Sequence, residues 1–140
     1  MRWDFSDQNV LVIGGSSGIN LGIAQGFAEA GAKLGVVSRS QEKVDAAVRT
    51  LSTQTEAIGF SADVRDYEAI ANCSHDFCEH FGPIDVLVSG AAGNFPAPLT
   101  GMSANGFKAV MDIDLLGTFH VLRSAYAFLA KPGSTVINIS

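Results

Sequence analysis

Apolar runs and helical periods alternate from one end of the chain to the other, and the alternation predicts the elements. "NVLVIGG" carries four consecutive apolar residues, as a strand buried on both faces does; Ile19, Ile23, Phe27 and Ala30 then fall on one helical face, which Gly31 closes. "KLGVVSR" is a second strand, and Ser40 caps a helix in which Val44, Ala47, Val48 and Leu51 recur at i, i+3, i+4 and i+7. "EAIGFSADV" is a third strand, Asp66 a cap, and Ile70, Cys73, Phe77 and Phe81 a third apolar stripe, followed by the strand "GPIDVLVSG". A loop, "AAGNFPAPLTGMSANG", leads to Ser103, which starts a long helical region reaching about Ala130. Its apolar positions are Phe107, Val110, Met111, Leu115, Leu122, Ala125 and Leu129, and "STVINIS" is a fifth strand.

Strands apolar on both faces and separated by helices imply an α/β protein with a doubly wound parallel sheet and right-handed crossovers. In such a sheet ligands gather at the carboxyl edge, where the long loop lies. Trp3 and Phe5, ahead of the first strand, are expected to cover the end of the sheet.

The 140 residues fit one domain, 1–140, and 47% hydrophobic with 16% charged residues is the composition of a globular chain with a substantial core. A formal charge of -5 argues against nucleic acid or an anionic membrane as partner and leaves small molecules. The first residues, "MRWDFSDQNV", contain no apolar signal region, and no apolar run approaches the roughly 20 residues that span a bilayer. Two cysteines in such a chain suggest a reducing setting, the cytoplasm.

The candidate chemistry begins at "VIGGSSGINLG". Glycines at 14, 15 and 18, after a buried strand and before an amphipathic helix, let backbone N–H groups approach a pyrophosphate at a helix amino end. At the end of the second strand, where NAD sites place an acid for the ribose hydroxyls, stand Ser38 and Arg39. A hydroxyl and a guanidinium suit a phosphate, which points to NADP.

"IGGSSGI", "SRS", "ADVRD", "GPIDVLVSGAAG", "MDIDLLGTFHV" and "STVINIS" follow one another as they do in the short-chain dehydrogenase/reductase family, which the chain resembles over essentially its whole length. "AAGNFPAP" followed by "VMDIDLLGTF" looks most like the 2,4-dienoyl-CoA reductase branch. The resemblance implies a Rossmann-type sheet, cut short after its fifth strand, in an NADP-dependent oxidoreductase. Hydride would pass between the nicotinamide and a carbonyl or enoyl substrate, such as an acyl-CoA, in a homo-oligomer, a tetramer by family likeness. It assigns Gly14, Ser16, Ser17, Gly18 and Ile19 to the pyrophosphate, and Ser38 and Arg39 to the 2′-phosphate. Asp63 and Val64 fall to the adenine, and Gly90, Ala91, Ala92 and Gly93 to the adenosine side of the cleft.

The chain departs from the family at several positions. Asn20 stands at the third fingerprint glycine, where its amide could bond an orphan N–H or a cofactor phosphate; it is expected to modify the turn without disabling it. Ser89 replaces a structural asparagine. Asp114 stands at the asparagine of the catalytic tetrad, where it could hold a relay water, accept a proton, or serve only as a helix or surface aspartate. Ser140 lies beside the position of the family's active-site serine, and the Tyr-x-x-x-Lys pair is missing: Tyr126 and Lys131 are five apart and precede the fifth strand. The chain therefore looks like the amino-terminal, cofactor-binding part of a reductase. If it is complete, the rival is a non-catalytic nucleotide-binding or redox-sensing module on the same scaffold.

"CSHDFCEH" offers Cys73, His75, Cys78 and His80, but on a helix Cys73 and His80 lie about 10 Å apart along the axis, so no metal is expected. His120 is read as a helix-face or interface histidine.

Overall fold

The computed structural model describes residues 2–93 and 96–140, so Asn94 and Phe95 of the predicted loop lie outside the described residues. Its elements are β1 (Asn9–Ile13), α1 (Gly18–Glu29), β2 (Lys33–Ser38), α2 (Gln41–Leu51), β3 (Ala57–Ser61), α3 (Tyr67–Phe81), β4 (Val86–Ser89), α4 (Ala104–Met111), α5 (Gly117–Ala125) and β5 (Thr135–Asn138). All five strands are parallel, in the order β3-β2-β1-β4-β5. Val12 pairs with Val36 on one side and Val88 on the other, so β1 is the middle strand and the chain changes direction of winding beside it.

Two cores follow from the period-2 alternation of the strands. Val10 and Val12 face α1 and α2, where they meet Ala24, Ala28, Val44, Ala47 and Leu51. Leu11 and Ile13 face the other way, onto Ile70, Cys73 and Phe77 of α3 and Val121 and Ala125 of α5. Two strand glycines make room for this packing. A Cβ on Gly35 would stand 2.5 Å from the buried ring of Phe77, and one on Gly59 would stand 2.4 Å from Val44. Phe5 packs edge-on against Phe27, whereas Trp3 is exposed, so only the former covers the sheet as expected.

Two helices depart from the apolar pattern expected of them. Ile19 is 75% exposed rather than on the buried face of α1; the helix begins at Gly18, and its first turn stands beyond the sheet, which first meets the helix through Leu21, Ile23 and Ala24. The long helix to Ala130 is instead a chain of short pieces. After a 3₁₀ turn (Leu99–Gly101), α4 passes through a π-helical turn, Asp112–Leu116, into α5, and a second 3₁₀ turn follows. The π turn takes an extra residue and shifts the apolar stripe around the axis. Phe107 and Leu115, predicted as core, are exposed, while Val121 and Ala125 are buried. Ser103 does cap α4, accepting from Gly106 N at 3.0 Å.

Among the described residues no helix is long and apolar enough to cross a membrane.

Candidate functional site

At the carboxyl edge of the sheet, where β1 and β4 diverge, lies a cleft of about 400 Å³. Its floor is the turn after β1. Gly14 N and Gly15 N donate to Val37 O, at 2.7 and 3.3 Å, and Gly90 N donates to Ile13 O at 3.0 Å, which ties three loops into one surface. Gly14 has φ +80°, and a Cβ there would stand 2.9 Å from Ala91 N, so both the backbone conformation and the close approach of the β4 loop require glycine.

One end of the cleft faces the start of α1. Helices α2, α3 and α4 are capped by Ser40, Asp66 and Ser103, whose side chains accept from the first-turn N–H groups. Ser17 makes no such bond, and α1 has no acid in its first turn. The amino end of a twelve-residue helix thus presents uncapped donors and a partial positive charge beside Ser16 and Ser17, an arrangement that fits a phosphate.

The other end is lined by Ser38, Arg39, Ser40 and Lys43 from the β2–α2 junction and by Ala62, Asp63 and Val64 after β3. Asp63 is held by Arg65: the guanidinium Nε donates to both carboxylate oxygens at 3.0 and 3.1 Å, Nη2 donates at 2.6 Å, and Arg65 N adds a bond at 2.9 Å. The hydrogen bonds from the Arg65 side chain hold the Asp63 carboxyl below its ordinary range. Because the folded-state value is depressed, the stabilisation from this pair is complete above the unfolded aspartate pKa of about 3.9 and is lost as pH falls through the lower folded value. Urea unfolding of wild type and Arg65→Ala is therefore expected to give a stability difference that is constant from neutral pH to about 4 and shrinks below it; a difference that widens toward acid contradicts the pairing.

The Val64 wall is propped from behind. His120 Nδ1 donates to Val64 O at 2.8 Å, and a Cβ on Gly117 would stand 2.6 Å from the Val64 side chain, so α5 docks closely against this loop. His120, read from the sequence as a plain helix-face residue, supports the site.

The candidate residues now divide. Gly14, Ser16, Ser17, Ser38, Arg39, Asp63, Val64, Gly90, Ala91 and Ala92 line the cleft together. Gly18, Ile19, Gly93, Asp114 and Ser140 stand outside its wall; Ile19 is at the helix start, and Ser140 is exposed after β5. Asp114 lies in the π turn, and its Oδ1 accepts from Gly93 N at 2.9 Å. Asp112 points elsewhere and pairs with Lys108, as the i, i+2 spacing requires.

Asn20 also lines the cleft, and its amide bonds a carbonyl rather than an orphan N–H of its own helix. Its Nδ2 donates to Gly90 O at 2.7 Å, bolting the first turn of α1 to the loop after β4, and its Oδ1 is buried without a partner. The same amide fills the space beside Gly90, where a Cβ would stand 2.4 Å from it. Sequence reading missed Lys43 and Ile113 on the cleft wall, although Lys43, four residues beyond Arg39 in the first turn of a capped helix, is placed to face the same way.

Cys73 is buried, with its thiol pushed up to about 11 by burial, and Cys78 is half-buried with its thiol also raised by burial. His75 is exposed beside Asp76. Among the described residues no three His, Cys, Asp or Glu side chains converge as metal ligands.

The family model described as short chain dehydrogenase matches residues 8–140. A peroxisomal 2,4-dienoyl-CoA reductase of Arabidopsis thaliana is 38% identical over 143 residues, covering 95% of this chain and 48% of the relative. A 3-dehydrosphinganine reductase of the same plant is 37% identical, covering 95% of this chain and 40% of the relative. The chain thus spans less than half the length of these relatives. Among solved structures, the Pseudomonas aeruginosa RhlG/NADP active-site complex superposes with a TM-score of 0.91 at 26% identity, covering 99% of this chain and 56% of that one.

Proposed function

The chain belongs to the short chain dehydrogenase family, and from that premise we propose that it is the cofactor-binding part of an NADP-dependent oxidoreductase. The observation that carries this reading is the cleft itself, which joins uncapped helix donors at one end to Arg39 at the other. The NADP complex of a structural neighbour supports it.

In this reading Gly14, Ser16, Ser17 and the first turn of α1, with Gly18 and Ile19, hold the pyrophosphate through backbone donors. Ser38 and Arg39 hold the 2′-phosphate; Asp63, kept ionised by Arg65, accepts from the adenine amine beside Val64. Gly90, Ala91, Ala92 and Gly93 bring bare backbone against the adenosine side. When bound, NADP supplies or accepts the hydride, and the protein orients it against the substrate. Asp114, fixed to Gly93 N, holds a water or takes a proton on the substrate side, and Ser140 leads toward it from β5.

The substrate is a small molecule with a carbonyl or a conjugated enoyl group; the names of the two relatives cover both classes. A homo-oligomer, the tetramer of family likeness, and a reducing compartment such as the cytoplasm complete the proposal, the two cysteines being free thiols.

The test is NADPH oxidation by the intact protein with 2,4-dienoyl-CoA and 3-oxoacyl-CoA thioesters. Turnover of either is expected, with NADPH preferred to NADH. Tight NADPH binding without turnover of any enoyl or carbonyl compound would instead identify a nucleotide-binding module.

A further inference from the structure

We infer that Asn20 is a positioning residue that ties the Asp114 carboxylate to the phosphate turn through the loop after β4. The inference rests on the NADP reading above and extends it to a side chain that a fingerprint glycine at this position would not have.

Residues 90–93 are Gly-Ala-Ala-Gly, with no side chain larger than a methyl, so the course of this loop is set by whatever bonds its ends. Those bonds come from opposite faces of the sheet. At the first end, Ile13 O holds Gly90 N at 3.0 Å, which fixes the peptide before Gly90. The peptide leading on to Ala91 carries Gly90 O, and among the described residues only Asn20 holds it, donating from Nδ2 at 2.7 Å out of the first turn of α1. At the other end Gly93 N donates to Asp114 Oδ1 at 2.9 Å, and a Cβ on Gly93 would stand 2.6 Å from Ile113. Helix α1 packs on the core that faces Val10 and Val12, whereas the π turn of Asp114 leads into α5, which packs on the core that faces Leu11 and Ile13. Ala91 and Ala92, which line the cleft, are suspended between the two attachments.

The span is short. Three steps of chain separate Gly90 from Gly93, at most roughly 11 Å, so a rotation of the first peptide carries to the last. Asp114 is in turn seated by its own turn, where Thr118 Oγ1 donates to its carbonyl at 2.6 Å, and the direction of its carboxylate is left to Gly93 N. The Asn20 amide is a poor choice for stability alone. Its Oδ1 is buried without a donor, which is unfavourable, and reversing the amide would set that oxygen against Gly90 O. A residue serving packing alone would carry no such acceptor; an amide that must donate to one particular carbonyl carries it as a consequence.

The test is amide hydrogen exchange, read by NMR on the intact protein for wild type, Asn20→Ala, Asn20→Gly and Asp114→Ala, with fluorescence titration of NADPH and NADH alongside and circular dichroism as a folding check. Asn20→Ala is expected to speed exchange at the Gly93 amide about tenfold beyond any change at the core amides of Val12 and Val36, which a loss of overall stability would raise as well. Asn20→Gly, which restores the fingerprint residue, should do the same and carries the test if the alanine variant does not fold. Because coupling between two sites is reciprocal, Asp114→Ala should shift the side-chain amide resonances of Asn20. If the Gly93 amide is unmoved in the folded Asn20 variants while wild type binds NADPH in preference to NADH, the role of Asn20 is overturned and the NADP reading stands. If wild type binds neither nucleotide, the NADP reading falls, and this inference with it.

Discussion

Gly90→Ala is expected to destabilise the protein by about 2–4 kcal/mol, and Asn20→Gly in the same chain to recover much of the loss. The added methyl would stand 2.4 Å from both polar atoms of the Asn20 amide. Asn20 cannot swing aside freely, because its Nδ2 bonds Gly90 O at 2.7 Å and its Oδ1 is already buried without a donor. Moving it leaves a carbonyl of the β4 loop unpaired, and keeping it forces backbone apart; either costs. Removing the amide opens the space and sacrifices one hydrogen bond. Chemical denaturation of the four proteins in this cycle should therefore give a double mutant well above the sum of the singles in stability, by roughly 1–3 kcal/mol. Additive losses would mean that the two positions do not act on each other. Since the same bond joins the phosphate turn to the wall at Ala91, Gly90→Ala should also weaken NADPH binding.

Arg39→Ala should lower the preference for NADPH over NADH by about a hundredfold, through loss of NADPH affinity alone. Charged hydrogen bonds to a phosphate are among the stronger single contacts, and no other arginine lines the cleft among the described residues. Parallel titrations measure the ratio. An equal fall for both nucleotides would show Arg39 supporting the fold of the β2–α2 junction rather than reading the 2′-phosphate.

The alternation of apolar runs and helical stripes was enough to order the strands' chain sequence and to foretell a parallel sheet, because strands buried on both faces leave an unbroken signature. The caps at Ser40, Asp66 and Ser103 were legible for the same reason, each being a polar residue just ahead of a periodic stretch. The π turn was not. Phe107 and Leu115 keep a helical spacing with Leu122, which packs on the core, and the extra residue of the π turn at Asp112–Leu116 breaks that register and leaves the two earlier side chains exposed.

At the cleft, residues that act through backbone or charge at a strand end were found from spacing, since the turn after a buried strand has few geometries. At Asn20 the spacing marks the position but not the partner of its amide. Whether an amide in the first turn of a helix bonds a ligand, an N–H or a carbonyl depends on a loop 70 residues away, and no local pattern reports that loop. His120 escaped for the same reason: its partner, Val64 O, lies 56 residues earlier. Lys43 gives no signal of its own, because an exposed lysine in a helix is ordinary until the fold sets it on the wall of a cleft.

The most direct measurement is a crystal structure of the intact protein with NADP bound. The pyrophosphate should lie over Gly14, Ser16 and Ser17 at the start of α1, the 2′-phosphate beside Ser38 and Arg39, and the adenine beside Asp63 and Val64. A dinucleotide bound elsewhere, or one whose 2′-phosphate points into solvent away from Arg39, would contradict the assignment of this cleft.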